Sequence, residues 1–380
     1  MLHPNIIKLE LKSLTDLEFG NFDEVIDVRS PAEYNEDHIP GAINLPVLDD
    51  RQRHQIGLEH KLKGPFYARR KGAQIISENI ADILKEHLAK RNRDFRPLIY
   101  CWRGGKRSGS LAEICRQIGW QTTVLESGYK SYRALVVKTL YKDTLPVEVI
   151  LLGGYTATGK TEILETLASN GIQVLNLEHL AEHRGSVFGE IQSIQPSQKK
   201  FESRINEVFR CLDSSRPTII EAESNKIGQV SIPPALWRSM KNASRINIQA
   251  PLQARVQYCL QKYCNLVHNN EDLNALLAKL SPFHSRKRIE EWNALVKCNN
   301  FEDLVSELLE YHYDPRYGSK KSIETIMMKD LTKVSIQKAS KNIVDIINRK
   351  YRSRDFNQGK TFGYFSDGMD IQSNFIKPRL

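Results

Sequence analysis

Apolar and polar positions alternate in short blocks over the first third of the chain. Glu24-Val25-Ile26-Asp27-Val28 is an apolar run of strand length, and Gly41-Ala42-Ile43-Asn44-Leu45-Pro46 is another, entered through a turn at Ile39-Pro40. From Ala73 to Leu88 the apolar residues Ile75, Ile76, Ile80, Ile83 and Leu84 recur at helical spacing. Pro97-Leu98-Ile99-Tyr100 predicts a strand, Ser110 to Ile118 a helix, and Thr123-Val124-Leu125 a closing strand. Strand and helix taking turns in this way predict a parallel α/β domain over residues 10–138. A second α/β unit starts with the apolar run Val147 to Leu152. It continues through a helix at Thr161 to Asn170 and strands at Gln173 to Leu177, Thr218 to Glu221 and Arg245 to Ile248. From Pro251 to about His312 the spacing is helical, so residues 145–314 read as one domain with a helical extension. Residues 315–380 read as a basic C-terminal extension, helical around Ser322 to Arg349.

A length of 380 residues suits two or three domains, each with its own core. The net charge is +10, and it is concentrated. Residues 315–380 hold 14 Lys or Arg against 6 Asp or Glu, a net of +8. Such a segment suits a polyanion such as RNA or DNA, or a solvated face kept for solubility. The longest apolar runs are too short to span a bilayer, and the first residues, Met1-Leu2-His3-Pro4-Asn5, lack the basic and apolar regions of a secretory signal. The expectation is a cytoplasmic protein with no membrane partner. The six cysteines form no CxxC pair and should be free thiols. Cys259, Cys264, His268 and Cys298 do not have the spacing of a structural zinc site, so no metal centre is expected from them.

Two loops carry the chemistry. Cys101-Trp102-Arg103-Gly104-Gly105-Lys106-Arg107-Ser108 follows a strand and precedes a helix. Successive amides backed by a helix N-terminus make an anion nest, and the same field stabilises a thiolate. Cys101 is therefore the candidate nucleophile. Arg103, Gly104, Gly105, Lys106 and Arg107 are the candidate anion-binding residues. The second loop, Gly154-Tyr155-Thr156-Ala157-Thr158-Gly159-Lys160-Thr161, is a GxxxxGK-Thr P-loop in the same strand–loop–helix setting. Gly154 and Gly159 permit close backbone approach, Lys160 reaches the terminal phosphates, and Thr161 is placed to hold Mg²⁺. The neighbouring strand reads Ile219-Ile220-Glu221-Ala222-Glu223 in place of an apolar run ending in Asp. Glu221 or Glu223 is thus the candidate magnesium or supporting residue. No NKxD motif is present, so diphosphate binding is expected while ATP or GTP hydrolysis is not implied.

The segment Asp27-Val28-Arg29-Ser30-Pro31-Ala32-Glu33-Tyr34, followed by His38 to Pro46, resembles the N-terminal signature of rhodanese domains. Asp37 stands where a glycine is usual, and Cys101 falls where the persulfide cysteine falls. Cys101 to Ser108 also fits the Cys-x5-Arg-Ser pattern of cysteine phosphatases, although Tyr100 replaces the preceding His and no general-acid Asp lies in the loop. A loop of this length should hold a tetrahedral, phosphate-sized group. A cysteine phosphatase or persulfide sulfurtransferase is one alternative function, and a nucleotide-regulated RNA-binding protein is another.

A rhodanese domain followed by a P-loop domain resembles the tRNA 2-selenouridine synthases. The resemblance runs over about residues 10–318. It includes Gly64 to Arg69, Gly128 to Arg133, Leu177 to Ser186, Gln195 to Glu202, Glu221 to Gly228 and His312 to Pro315. It implies a two-step modification of 2-thiouridine at the tRNA wobble position. Geranyl diphosphate, held by the P-loop, would alkylate the sulfur. Selenium from selenophosphate, held by the cysteine loop and carried on Cys101 as a selenyl-sulfide, would then replace the geranylthio group. The partners implied are tRNA and a selenophosphate supplier, with no tightly bound cofactor. These motifs leave the oligomeric state undetermined.

Overall fold

The computed structural model describes residues 5–17, 21–142, 144–145, 147–183, 194–262, 270–317 and 321–355. Arg184 to Ser186, Cys264, His268 and residues 356–380, all within the segments named above, lie outside them. The first domain is a five-stranded sheet built from β1 (Ile7–Leu9), β2 (Glu24–Asp27), β3 (Ile43–Asn44), β4 (Pro97–Tyr100) and β5 (Thr123–Leu125). The order is β1-β5-β4-β2-β3, and every pairing is parallel. All four residues of β4 are buried, as a central parallel strand covered on both faces requires. Ile26, Ile99 and Leu111 pack on one face with Ile76, Ile80 and Ile83.

The second domain has β6 (Val149–Gly154), β7 (Val174–Leu175), β8 (Thr218–Glu221), a small antiparallel hairpin of β9 (Lys226–Ile227) and β10 (Val230–Ser231), then β11 (Ser244–Gln249) and β12 (Glu324–Met327). Its main sheet runs β12-β11-β6-β8-β7, again all parallel. The two domains share apolar packing. Leu98, Tyr100, Leu125 and Tyr132 of the first belong to one buried cluster with Leu151, Phe201, Ile205 and Ile220 of the second.

The boundary expected at residue 315 does not hold. Glu324 to Met327 pair residue for residue with Ile246 to Gln249, making β12 the edge strand of the second sheet. Helix Lys333–Asp355 follows and lays Ile336, Ala339, Ile343, Ile346 and Ile347 against Ile163, Leu164 and Leu167 of the P-loop helix. The isoleucine stripe is the buried face of this helix, and Lys333, Lys338, Lys341 and Arg349 occupy its exposed face. A consequence is measurable. Ile343→Ala should lower stability by about 2–5 kcal/mol, seen as a lower denaturant midpoint with an unchanged slope. Lys341→Ala should stay within about 0.5 kcal/mol. Equal effects would mean that the helix is not packed on the domain.

The first domain also differs from expectation. Between β3 and β4 stands a helical hairpin, Asp50–Lys63 and Pro65–Ile83, where only a helix from Ala73 was expected. The first of these helices has no buried residue, so it leaves no apolar stripe to read.

Candidate active site

Cys101 lies just beyond β4, at the C-terminal edge of the first sheet, and helix Lys106–Ile118 starts five residues later. The side chain is 3% exposed. Its Sγ accepts hydrogen bonds from the Gly105 amide at 3.2 Å and the Ser108 hydroxyl at 3.3 Å. Burial alone would push the thiol up. The Ser108 hydroxyl and the amides of Ser108, Arg103 and Gly105 outweigh it and hold the thiol below its ordinary value. Cys115 and Cys259, buried without such donors, are pushed up to about 12 and about 11. Cys101 is therefore set apart by its hydrogen bonds, since all three are buried.

The turn Gly128-Tyr129-Lys130 locks this loop from below. The Tyr129 amide donates to the Cys101 carbonyl at 2.8 Å and the Lys130 amide to the Trp102 carbonyl at 3.1 Å. Gly128 has φ +57°, and a Cβ there would collide with the Cys101 carbonyl. Arg29 supports the other side. It is fully buried, forms an ion pair with Asp27 at 2.7 Å, donates to the Asp37 carbonyl at 2.6 Å, and stacks 4.1 Å over the Tyr129 ring.

Of the residues expected around the thiolate, the Gly105 amide and the amide of Arg103 face it. The Arg103 and Lys106 side chains are exposed at the rim. Arg107 is held by Glu33 through a bidentate pair of 2.5 and 3.2 Å, which fixes the guanidinium beside the loop. Burial raises the Glu33 carboxyl, but Arg107 and the Ser30 amide more than offset it, so Glu33 sits below its ordinary value.

Asp37, the departure from the rhodanese pattern, has a distinct place. Its buried carboxylate accepts from the Tyr129 hydroxyl at 2.5 Å and from Ser203 of the second domain at 2.9 Å. Burial raises this carboxyl despite both bonds. Alongside, Arg133 pairs with the fully buried Glu202, which also accepts from Tyr141 at 2.6 Å. The cysteine domain is thus pinned by charge and hydrogen bonds, as well as by apolar packing, to helix Gln198–Cys211 of its neighbour.

The P-loop connects β6 to helix Lys160–Ser169. A Cβ on Gly154 would stand 2.6 Å from the Ile248 carbonyl and 2.8 Å from the Thr158 hydroxyl, so only glycine fits. Ala157 takes a left-handed φ of 62°. The Lys160 ammonium donates to the carbonyls of Gly154 at 3.1 Å and Tyr155 at 3.0 Å, folded back across the loop it serves. Three residues not expected from sequence clamp this loop. The buried Arg255 donates to the Thr156 carbonyl at 2.9 Å and forms a bidentate pair with Asp314 at 2.9 and 2.6 Å. The Tyr317 hydroxyl meets Thr156 Oγ1 at 3.2 Å. The only sequence signal for them was the His312-to-Pro315 motif, which contains Asp314.

Glu221 ends β8, beside β6, and is 2% exposed. One carboxylate oxygen accepts from the Glu178 amide at 2.7 Å, and the other has no hydrogen-bond partner. Burial, reinforced by the charge of Glu178, holds its carboxyl well above the ordinary range. An orphaned buried oxygen of this kind suits a hard cation. Among the described residues no group of three or more His, Cys, Asp or Glu converges as a metal site.

The family model for rhodanese-like domains matches residues 10–135. The model for the AAA domain of tRNA 2-selenouridine synthase matches residues 147–275. The tRNA 2-selenouridine synthase of Pseudomonas syringae pv. tomato is 30% identical over 331 residues, covering 79% of this chain and 89% of that protein. The chain belongs to the tRNA 2-selenouridine synthase family. The Nitrosomonas europaea member is 33% identical over 243 residues, and this match spans 63% of each protein. Among solved structures, the N-terminal domain of a Clostridium difficile 630 protein described as ATP/GTP-binding is 34% identical. It covers 35% of this chain and 99% of that one, with a TM-score of 0.30. The expected order of a rhodanese-like domain followed by a P-loop-type α/β domain thus holds across the family match. Among the described residues no helix is long and apolar enough to cross a membrane.

Proposed function

We propose that the protein converts 2-thiouridine at the tRNA wobble position into 2-selenouridine through an S-geranyl intermediate. The observation that carries this is one molecule with two anion cradles, one bearing a thiolate-stabilised cysteine, joined by a shared core. At the P-loop, Lys160 and the loop amides would hold the diphosphate of geranyl diphosphate. The thiouridine sulfur attacks the geranyl C1, the C1–O bond breaks, diphosphate leaves, and the ring N3 proton passes to solvent. Glu221 and the Thr161 hydroxyl would hold a magnesium ion, which would neutralise the leaving diphosphate.

At the cysteine loop, the Gly105 and Ser108 donors favour the thiolate form of Cys101, and the Arg107–Glu33 pair would set a guanidinium beside the nest for selenophosphate. Electron balance chooses the atom attacked. A thiolate striking selenium would expel trivalent phosphorus, so the selenyl-sulfide expected above is set aside. Attack at phosphorus forms the S–P bond and breaks P–Se, and hydrogen selenide leaves. Water then hydrolyses the phosphocysteine to phosphate. Hydrogen selenide adds to C2 of the geranylated base, the C2–S bond breaks, and geranylthiolate leaves and takes a proton. No external oxidant or reductant is required.

Purified protein, 2-thiouridine-containing tRNA and both donors test this reading. Nucleoside mass spectrometry should find 2-selenouridine with both donors and S-geranyl-2-thiouridine with geranyl diphosphate alone. Absence of both products would remove the reading. Arg107→Ala should raise the apparent KM for selenophosphate roughly ten- to a hundredfold, the loss expected for a charge-assisted bond. The KM for geranyl diphosphate should not change. Inorganic phosphate should compete with selenophosphate, and non-competitive inhibition surviving in Arg107→Ala would place the phosphate site elsewhere. The loop also has the form to accept a phosphate ester, and turnover of an aryl phosphate without any nucleoside change would favour a phosphatase.

A further inference from the structure

The helical hairpin Asp50–Lys63 and Pro65–Ile83 serves neither loop directly, yet it is built into the edge where Cys101 opens. It leaves the sheet after β3, at the C-terminal edge that also carries the cysteine loop. Its base is tied down. Asp50 accepts from the Ala32 amide at 3.0 Å, and Asn79 donates to the Val47 carbonyl at 3.0 Å and to Gln52 at 2.7 Å. Arg53 lies 3.9 Å from Glu33, the carboxylate that holds Arg107 of the cysteine loop. The lower half of the returning helix packs in the core through Ile76, Ile80 and Ile83. In the upper half Gly72 faces Ile56 of the partner helix closely, with a Cβ there 3.5 Å from the Ile56 side chain. A helix of 14 residues is about 20 Å long, so the tip lies about that far along the hairpin from its tethered base.

The composition of that tip is unusual for a solvated surface. Leu62 is 80% exposed, Phe66 62% and Tyr67 47%. The two rings meet edge to face at 5.7 Å, and the Arg70 guanidinium lies 5.6 Å from the Tyr67 ring. Residues 51–71 contain seven Lys or Arg and one acid, Glu59, a net of +6. Glu59 is shared by Lys63 and Lys71, at 3.4 Å from each. Arg69 and Arg70 have no carboxylate partner among the described residues. Exposed rings interleaved with guanidinium groups that lack a carboxylate partner are the elements that bind unpaired nucleotides. Bases stack on the rings while phosphates pair with the cations. A lipid surface would call for a longer apolar face than the exposed Leu58, Leu62, Phe66 and Tyr67 make, set as they are among seven Lys or Arg in residues 51–71.

We propose that the hairpin tip, centred on Phe66, Tyr67, Arg69 and Arg70, holds unpaired bases of the RNA substrate, on a hairpin whose base adjoins the cysteine loop. This rests on the RNA-modifying reading above and adds to it the surface that grips the loop of the RNA. Stacking on Phe66 and Tyr67 keeps loop bases splayed, and the arginines hold the flanking backbone.

Fluorescence anisotropy on the full chain tests it, using a labelled stem–loop RNA with an unpaired loop and a fully paired duplex of the same length. Phe66→Ala with Tyr67→Ala should weaken stem–loop binding roughly tenfold or more and duplex binding less than about twofold, with the salt dependence unchanged. Phe66→Leu with Tyr67→Leu keeps apolar bulk without the rings and should show the same loss. Arg69→Gln with Arg70→Gln should reduce the slope of log K against log salt by about 1.4. Matching melting curves for variants and wild type establish that the fold is kept. Stem–loop binding unchanged by loss of both rings, or a loss equal on stem–loop and duplex, overturns the proposal. So does sedimentation with anionic phospholipid vesicles that depends on the rings while RNA binding does not. If the wild-type protein fails to bind the stem–loop at all, the RNA-modifying reading falls with it. Insensitivity of the variants alone removes only the hairpin's role.

Discussion

Cys101→Ser is expected to end selenation, by more than about a thousandfold, while leaving prenyl transfer within about twofold of wild type. The substitution is nearly isosteric at a buried position, and the Gly105 and Ser108 donors can bond a hydroxyl as they bond the thiol. The fold should survive. What is lost is the nucleophile: the donors that bring a thiol below its ordinary value cannot bring an alcohol into the same range. Prenyl transfer uses the sulfur already on the tRNA, so it does not need Cys101. S-geranyl-2-thiouridine should therefore accumulate when both donors are supplied. Loss of prenyl transfer together with selenation, in a variant with a wild-type melting curve, would contradict the division between the two loops.

Lys160→Ala should reverse the pattern. The ammonium bonds the Gly154 and Tyr155 carbonyls and lies 5.6 Å from the Tyr317 ring. Removing it takes away the positive charge that would meet the diphosphate as the C1–O bond breaks. Loss of one such group costs on the order of a hundred- to a thousandfold in rate. The loop should keep its shape, because Arg255 and Tyr317 hold Thr156 from outside and Gly154 meets the Ile248 carbonyl regardless of Lys160. The readout is the initial rate of geranyl transfer to 2-thiouridine tRNA. A rate within a few fold of wild type would mean that the diphosphate is bound elsewhere.

Both loops were legible because each is local. Strand, loop and helix follow one another within about twenty residues, and the residue types that bend the backbone and bind anions are written consecutively. The supports were not legible because they depend on topology. Glu33 and Arg107 are 74 positions apart, Arg255 and Asp314 are 59 apart, and Asp37 and Ser203 are 166 apart. Nothing in local spacing pairs them. In the sequence Asp37 is only a residue standing where rhodaneses usually have glycine, and the packed structure shows it bonded across the domain boundary to Ser203.

The C-terminal segment was misread for a different reason. Its positive charge dominates composition, while the signal that places it is a four-residue edge strand and an isoleucine stripe that makes sense only against the P-loop helix. The helix Asp50–Lys63 was missed because it buries nothing, so no periodic pattern marks it. That same lack of burial leaves the hairpin tip free to meet a partner.

The central claim is that one chain performs two separable reactions on the same base, one at each loop. The most direct measurement supplies tRNA already carrying S-geranyl-2-thiouridine, together with selenophosphate, to the Cys101→Ser and Lys160→Ala variants and follows the wobble nucleoside by mass spectrometry. The account predicts conversion to 2-selenouridine by Lys160→Ala at close to the wild-type rate, and none by Cys101→Ser. Conversion by Cys101→Ser, or failure of folded Lys160→Ala to convert the preformed intermediate, would contradict it.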